Sequence, residues 1–158
     1  MVDMINQSLP TNTGIVRIHV AGDLFSQQYM EAWYSVAVAN PDKLFYAYTK
    51  SLRFWVGAIT ELPILENFVL TASYGGRYDY MIDQFHLRSA KVVFSEAEAA
   101  ELGLAIDHDD SHAARPDLRN QSFALLIHGV QPKGSEAAKA LVELKGKGSY
   151  RREKNAVR

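Results

Sequence analysis

The sequence predicts an α/β fold: a mainly parallel sheet of about five strands with helical crossovers, resembling part of a β/α barrel. Three observations lead there. Apolar runs rich in β-branched and aromatic residues recur near residues 15–21, 44–49, 67–72, 90–94 and 122–127. Segments with the apolar spacing of amphipathic helices separate them. Strand–helix–strand connections favour parallel pairing with right-handed crossovers. A chain of 158 residues, 47% hydrophobic and 22% charged, suits one globular domain with a substantial core.

Residues 1–13 read as an N-terminal extension, without the cationic start and long apolar run of a signal peptide. Residues 14–146 form the α/β domain. Its first strand, "VRIHVAG", stops on Gly22-Asp23, and Ser26 is placed to cap a helix over about 26–39. The strand at 44–49 leads to a helix at about 53–61, and the strand at 67–72 to a short helix near 78–85. After the strand at 90–94, Ser95 with Glu98 reads as a capping box for a helix over 95–102, which Gly103 ends. The longest irregular stretch, "LAIDHDDSHAARPDLRNQ" at 104–121, precedes the strand at 122–127, and a helix at about 135–145 follows. Residues 147–158 read as a basic tail. Residues 145–158 hold six cations against Glu153, a local +5 that leaves −6 on the rest of a chain whose net charge is −1.

Strand side chains alternate between faces, and here one face is the more polar. Val16, Ile18 and Val20 oppose Arg17 and His19; Tyr46 goes with Tyr48, Thr71 with Ser73, Lys91 with Ser95, and His128 follows an apolar "ALLI". A parallel strand covered on both sides is apolar on both, so the pattern points to a cleft, a lumen or solvated edge strands. Ligands of parallel α/β sheets gather at the carboxyl ends of the strands. Those ends supply Gly22, Asp23, Lys50, Ser73 and His128. Gly22 permits close approach of a ligand. Asp23 accepts hydrogen bonds from an ammonium or hydroxyl, or helps cap the next helix. Lys50 suits a carboxylate, a phosphate or, if buried, a Schiff base, or else an exposed turn.

"HDDSH" puts His108 and His112 four residues apart around Asp109 and Asp110. The set suits a divalent metal, an acid/base loop or a self-bonded turn, and Pro116 with the loop-forming acids argues against a helix there. No metal is assigned. "SYGGRYDY" places Arg77 beside a flexible glycine pair that lacks the spacing of a dinucleotide fingerprint or a P-loop, and "GKGS" at 146–149 lacks a preceding strand. No G-x-S-x-G nucleophile elbow occurs. The aromatic group around Trp33, Phe45, Tyr48 and Trp55 follows core periodicity. No stretch reaches the roughly 18 apolar residues of a membrane helix. Cysteine is absent, so the chain's own thiolates hold no iron–sulfur cluster; this fits a reducing, cytoplasmic setting.

At "VRIHVAGDLFSQQYMEAWYSVAVANPDKLFYAYTKSLRFW", "ENFVLTASYGG", "HLRSAKVVFSEAEAAELGLAIDHDDSHA" and "SFALLIHGVQPKGSEAAKA" the chain resembles the gene product 88 family of phage and plasmid proteins, over about residues 14–152. The resemblance carries no assigned activity, and for a phage-encoded chain it implies the host cytoplasm. Relatives have a cysteine-bearing segment ahead of this stretch, in an arrangement similar to radical S-adenosylmethionine barrels. In those enzymes a cysteine triad holds an iron–sulfur cluster, and a Gly/Glu-rich turn receives the amino group of the cofactor. Gly22-Asp23 occupies a comparable place. The resemblance thus implies the later part of such a barrel, as a truncated relative, a chain that pairs with a cysteine-bearing partner, or a remnant put to another use. A sheet of about five strands leaves edges open, which invites self-association or a partner chain.

Two functions follow. The first is binding of a small polar or anionic ligand at the strand carboxyl ends, lined by Asp23, Lys50, Ser73, His108, Asp109, His112 and His128. In a catalytic version Asp23 orients the ligand, Lys50 or Arg77 neutralises its charge, and a histidine of the 108–112 loop moves protons. The second is an interaction module that engages nucleic acid or a host protein through the basic tail and the open sheet edge.

Overall fold

In the computed structural model, which describes residues 1–150, each expected strand forms and pairs in parallel, although the first, expected over 15–21, ends at Arg17, short of the exposed Val20 and of Gly22-Asp23. β1 (Ile15–Arg17), β2 (Leu44–Thr49), β3 (Phe68–Ser73), β4 (Ser89–Val93), β5 (Ala105–Ile106) and β6 (Phe123–Leu126) make one sheet in the order β1-β2-β3-β4-β6-β5. The sixth strand beyond the expected five is β5, whose two residues are too few to show a pattern. β1 and β5 are the edges, each paired on one side among the described residues.

Three of the helices start where a serine accepts a backbone N–H. Ser26 Oγ accepts Tyr29 N at 3.1 Å ahead of α2 (Gln27–Ala39). Ser95 does the same for Glu98 N ahead of α5 (Glu96–Glu101), while the Glu98 carboxylate reaches back to Phe94 N at 2.7 Å. Ser135 caps α7 (Glu136–Glu143) through Ala138 N. α3 (Leu52–Glu61) and α4 (Tyr80–Gln84) complete the crossovers. In α2, Met30, Trp33 and Ala37 recur at helical spacing and pack with Leu24 and Val36 on Phe45, Ala47 and Leu70 of the sheet. On the same face Val93, Ala124 and Leu126 meet Ala99 of α5. Within residues 1–13 a helix forms: α1 (Val2–Ser8) sets Val2 and Ile5 against the α2 cluster.

The opposite face carries Tyr46, Tyr48, Val69 and Thr71. Lys91 does not join them. Ser73 pairs with Ala90, so Lys91, one residue on, points to the helical face with Val93.

Sheet order explains what covers the polar face. From β1 to β4 every step runs the same way across the sheet. β4 then skips a place to β5 at the edge, and the chain steps back to β6 between them. A right-handed crossover that reverses direction must pass on the other face. The connection does so: α6 (Ser111–Ala114) lies over β2 and β3, and Ala113 packs with Tyr46, Val69, Phe123 and Leu125. Among the described residues no helix is long and apolar enough to cross a membrane.

Candidate functional site at the carboxyl ends of the strands

Reversal of the chain delivers Asp110 to the polar face. Its backbone is left-handed, φ 69°, and it immediately precedes α6. The carboxylate accepts four hydrogen bonds. Oδ2 takes Arg17 Nη1 at 2.8 Å and the Tyr46 hydroxyl at 2.8 Å; Oδ1 takes the hydroxyls of Tyr48 at 2.9 Å and Tyr150 at 2.6 Å. Burial pushes all three phenols well above their ordinary pKa, and the neighbouring carboxylate adds to the rise at Tyr46 and Tyr150. At Tyr48 the Tyr150 hydroxyl, 3.2 Å away, comes next after burial. The three phenols are therefore donors at neutral pH. Arg17 lies 5.2 Å from the Tyr48 ring centre and 5.6 Å from that of Tyr150. Its Nε donates to His19 O, and its Nη2 has no partner among the described residues.

Asp107 holds the turn that carries Asp110. It is buried, and its carboxylate accepts the backbone N–H groups of Asp109 at 3.2 Å and His112 at 3.1 Å. Arg88 supports α6 from below, donating to His112 O at 2.9 Å and to the Thr71 hydroxyl. Burial lowers the Arg88 guanidinium to about 10, so it stays a cation at neutral pH. Tyr150 arrives over the end of β6. Ser149 Oγ donates to Asp107 O at 2.6 Å and accepts Leu126 N at 2.9 Å. Gly148 is required there because a side chain would run into the carbonyl oxygen of Ile127.

A second cluster closes the β1 and β2 ends. Asp23 accepts Leu24 N at 2.6 Å, the Thr49 hydroxyl at 2.5 Å and Lys50 N at 2.7 Å. Both its oxygens are thus spent on joining two loops.

The gene product 88 family model matches residues 1–145. The chain belongs to that family. No curated protein and no solved structure gives a match. In this gene product 88 family chain, the expected site residues separate into three groups. Gly22, Asp23, Lys50 and Ser73 come together: Lys50 Nζ donates to Ser73 Oγ at 2.9 Å and to the carbonyl of Tyr74, so its ammonium is occupied. Gly22 serves its own turn, with φ 88° and open space beside it. Arg77 lies apart, exposed, with its guanidinium 5.8 Å from the Tyr78 ring centre.

The 108–112 residues form the second group and do not converge. His108 and Asp109 are exposed, whereas His112 turns inward against Phe123 with ring centres 5.2 Å apart. His112 Nδ1 sits 3.7 Å from Asp107 Oδ1, beyond hydrogen-bond distance, and has no partner. Hydrogen bonds from Ser111 hold the Asp109 carboxyl below its usual range. Among the described residues no group of three or more His, Asp or Glu side chains is arranged to hold a metal ion. His128 forms the third group, beside the tyrosines. Its Nδ1 lies 2.9 Å from Leu126 O, and its ring stands edge-on to Tyr150 at 4.8 Å, which leaves Nε2 without a partner among the described residues.

Sequence reasoning placed Arg17, Tyr46 and Tyr48 on the polar face without naming them as site residues. Asp110 showed in the sequence only as part of "HDDSH" and Tyr150 not at all, since the chain reversal brings the one to that face and the turn at Gly148 the other. Of the basic tail, Arg151, Arg152, Lys154 and Arg158 lie outside the described residues.

Proposed function

We propose that this family member binds a small anionic molecule at the carboxyl end of its sheet, through Arg17. One observation carries the reading. The Arg17 guanidinium is fixed by Asp110 and flanked by two tyrosine rings, yet 28% of the side chain stays exposed and one arm keeps both donors. A planar cation preorganised in this way suits a carboxylate or phosphate oxygen pair. His128, whose ring stands edge-on to Tyr150, offers Nε2 as a further polar contact, whereas Asp23 and Lys50 act as clamps. Phosphate or malonate, added against chloride at matched ionic strength, should raise the melting temperature saturably. Arg17→Lys should remove most of that rise. An equal rise in the variant, or none in the wild type, refutes the reading.

A second reading rests on the open edges: among the described residues β1 has a free side on which another strand of this chain or a partner can pair. Light scattering tests it, with a monomer across the micromolar range as the opposing result. Nucleic-acid binding through the tail requires salt-sensitive affinity lost on deleting residues 151–158, which spares Tyr150. Kinship with radical S-adenosylmethionine barrels is supported by the consecutive parallel run β1 to β4 with helices on one face. The β4-β6-β5 order departs from a simple barrel progression. We place the chain in a host cytoplasm, as a phage or plasmid product, on family grounds.

A further inference from the structure

A cavity of about 600 Å³ opens at the amino end of the strands, away from the Asp110 network. It exists because β4 starts late. The β3–β4 register begins at Ala72 with Ser89, so Phe68 to Thr71 have no β4 residue beside them, and the sheet has a notch. Trp55, Ile59, Leu62, Leu65, Phe68 and Leu87 wall the notch. The volume falls in the range of small-molecule sites, roughly 300–1,000 Å³.

The polar groups of this cavity are unevenly matched. Arg119 donates from Nη1 to the carbonyl of Glu66, while its Nε is buried without a partner. No carboxylate lies within ion-pair distance of it among the described residues. Arg88 also borders the space, its guanidinium committed to backbone carbonyls and Thr71. Burial dominates the lowered pKa of Arg88, and the positive charge of Arg119 adds to the lowering against opposing contributions from Tyr48 and Asp107. His86 and the exposed Glu66 stand at the rim.

We propose that this cavity binds an amphipathic monocarboxylate: an apolar chain lying along the Trp55, Leu62 and Leu87 walls, with its carboxylate on Arg119. Apolar walls alone accept any greasy molecule. Arg119 lines the cavity with no carboxylate paired to it among the described residues, so its guanidinium selects an anion, and a guanidinium fork matches a carboxylate in shape.

Decanoate, decanol and decyltrimethylammonium are the probes, titrated into the intact chain. Tryptophan fluorescence reports binding, because Trp55 lines the cavity and Trp33, the other of two tryptophans, does not. Decanoate should saturate and bind at least about tenfold more tightly than decanol, as a charge-assisted contact provides. Its affinity should fall as the pH drops through the carboxylate range while that of decanol stays level. Arg119→Met should erase the advantage of decanoate and keep decanol binding. Arg17→Lys should change nothing, which separates this cavity from the site at the other end of the strands. Equal affinity for decanoate and decanol, unchanged decanoate binding in Arg119→Met, or no saturable response overturns the proposal. The pH series on the wild type decides the matter even if Arg119→Met does not fold.

Discussion

Replacing Asp110 by asparagine tests the polar network at its centre. The substitution keeps shape and backbone, because asparagine tolerates the left-handed region as aspartate does. One amide oxygen can still accept the Tyr48 and Tyr150 hydroxyls. The new NH₂ then faces Arg17 Nη1 and the Tyr46 hydroxyl, both of which donate to Oδ2 at 2.8 Å. Two charge-assisted bonds are lost, at about 1.5–3 kcal/mol each where the partners are dry. Arg17 is 28% exposed and regains some water, whereas Asp110 is 11% exposed and the Tyr46 side is buried. The lower half of the range therefore applies, and the cost is about 3 kcal/mol, at the lower end of the values for breaking a buried ion pair. In a domain of this size that corresponds to a melting point lower by roughly 6–12 °C. Equilibrium urea denaturation measures it. A cycle with Tyr46→Phe should show coupling of about 1 kcal/mol, since the hydroxyl has lost its acceptor in the Asn background. A loss below about 1 kcal/mol, with strictly additive single variants, would refute the claim that this carboxylate anchors α6 to the sheet.

Three further outcomes follow from the same packing. The raised pKa values of Tyr46, Tyr48 and Tyr150 mean that their contribution is complete below pH 10 and lost as the pH rises above it. In a tyrosinate absorbance titration, three of the eight tyrosines should ionise only together with loss of ellipticity; ionisation of all eight in a folded chain contradicts this. Burial lowers the pKa of His19, against a smaller opposing pull from Asp23, so the unfolded chain binds the extra proton and stability should decline as pH falls below 6.5. His19→Gln should flatten that slope in urea midpoints taken between neutral and mildly acid pH. Gly148→Ala meets the Ile127 carbonyl, which is backbone and cannot swing aside. It should cost about 1–3 kcal/mol and loosen Tyr150, visible as a lower urea midpoint; an unchanged midpoint would mean the close approach is not needed.

Local chemistry made much of the fold legible. The serines at 26, 95 and 135 start helices because each hydroxyl stands three residues before an N–H that needs an acceptor. Runs such as "LFYAYT" fit a half-buried strand and little else. β5 and α6 were not legible, with two and four residues. α6 exists because Asp107 holds its first turn from outside. The site was half visible: alternation put Arg17 beside Tyr46 and Tyr48, but their common acceptor lies 93, 64 and 62 residues further on. Asp23, which the sequence offers as a ligand group or a cap, does not cap α2, since Ser26 does so by itself; it ties Leu24 to Thr49 and Lys50. The serine of "GKGS" joins strand ends instead of cradling phosphate.

The single step back from β5 to β6 accounts for the difference between the two ends of the sheet. It forces residues 107–121 onto the face where β1 and β2 present an arginine and two tyrosines, groups too polar to be left dry and unpaired. Asp110 answers three of them at once, and the turn at Gly148 brings a third tyrosine to the same carboxylate. At the carboxyl end nearly every donor is therefore satisfied, and among the described residues what stays available is one arm of Arg17 and Nε2 of His128. The same connection returns to the amino end at Arg119, where β4 has not yet begun and, among the described residues, no carboxylate pairs with the guanidinium. One end of the sheet is closed by a polar latch and the other is open, apolar and short of negative charge. Anion binding at the two ends thus rests on separate residues, so a variant at Arg17 and a variant at Arg119 should act independently.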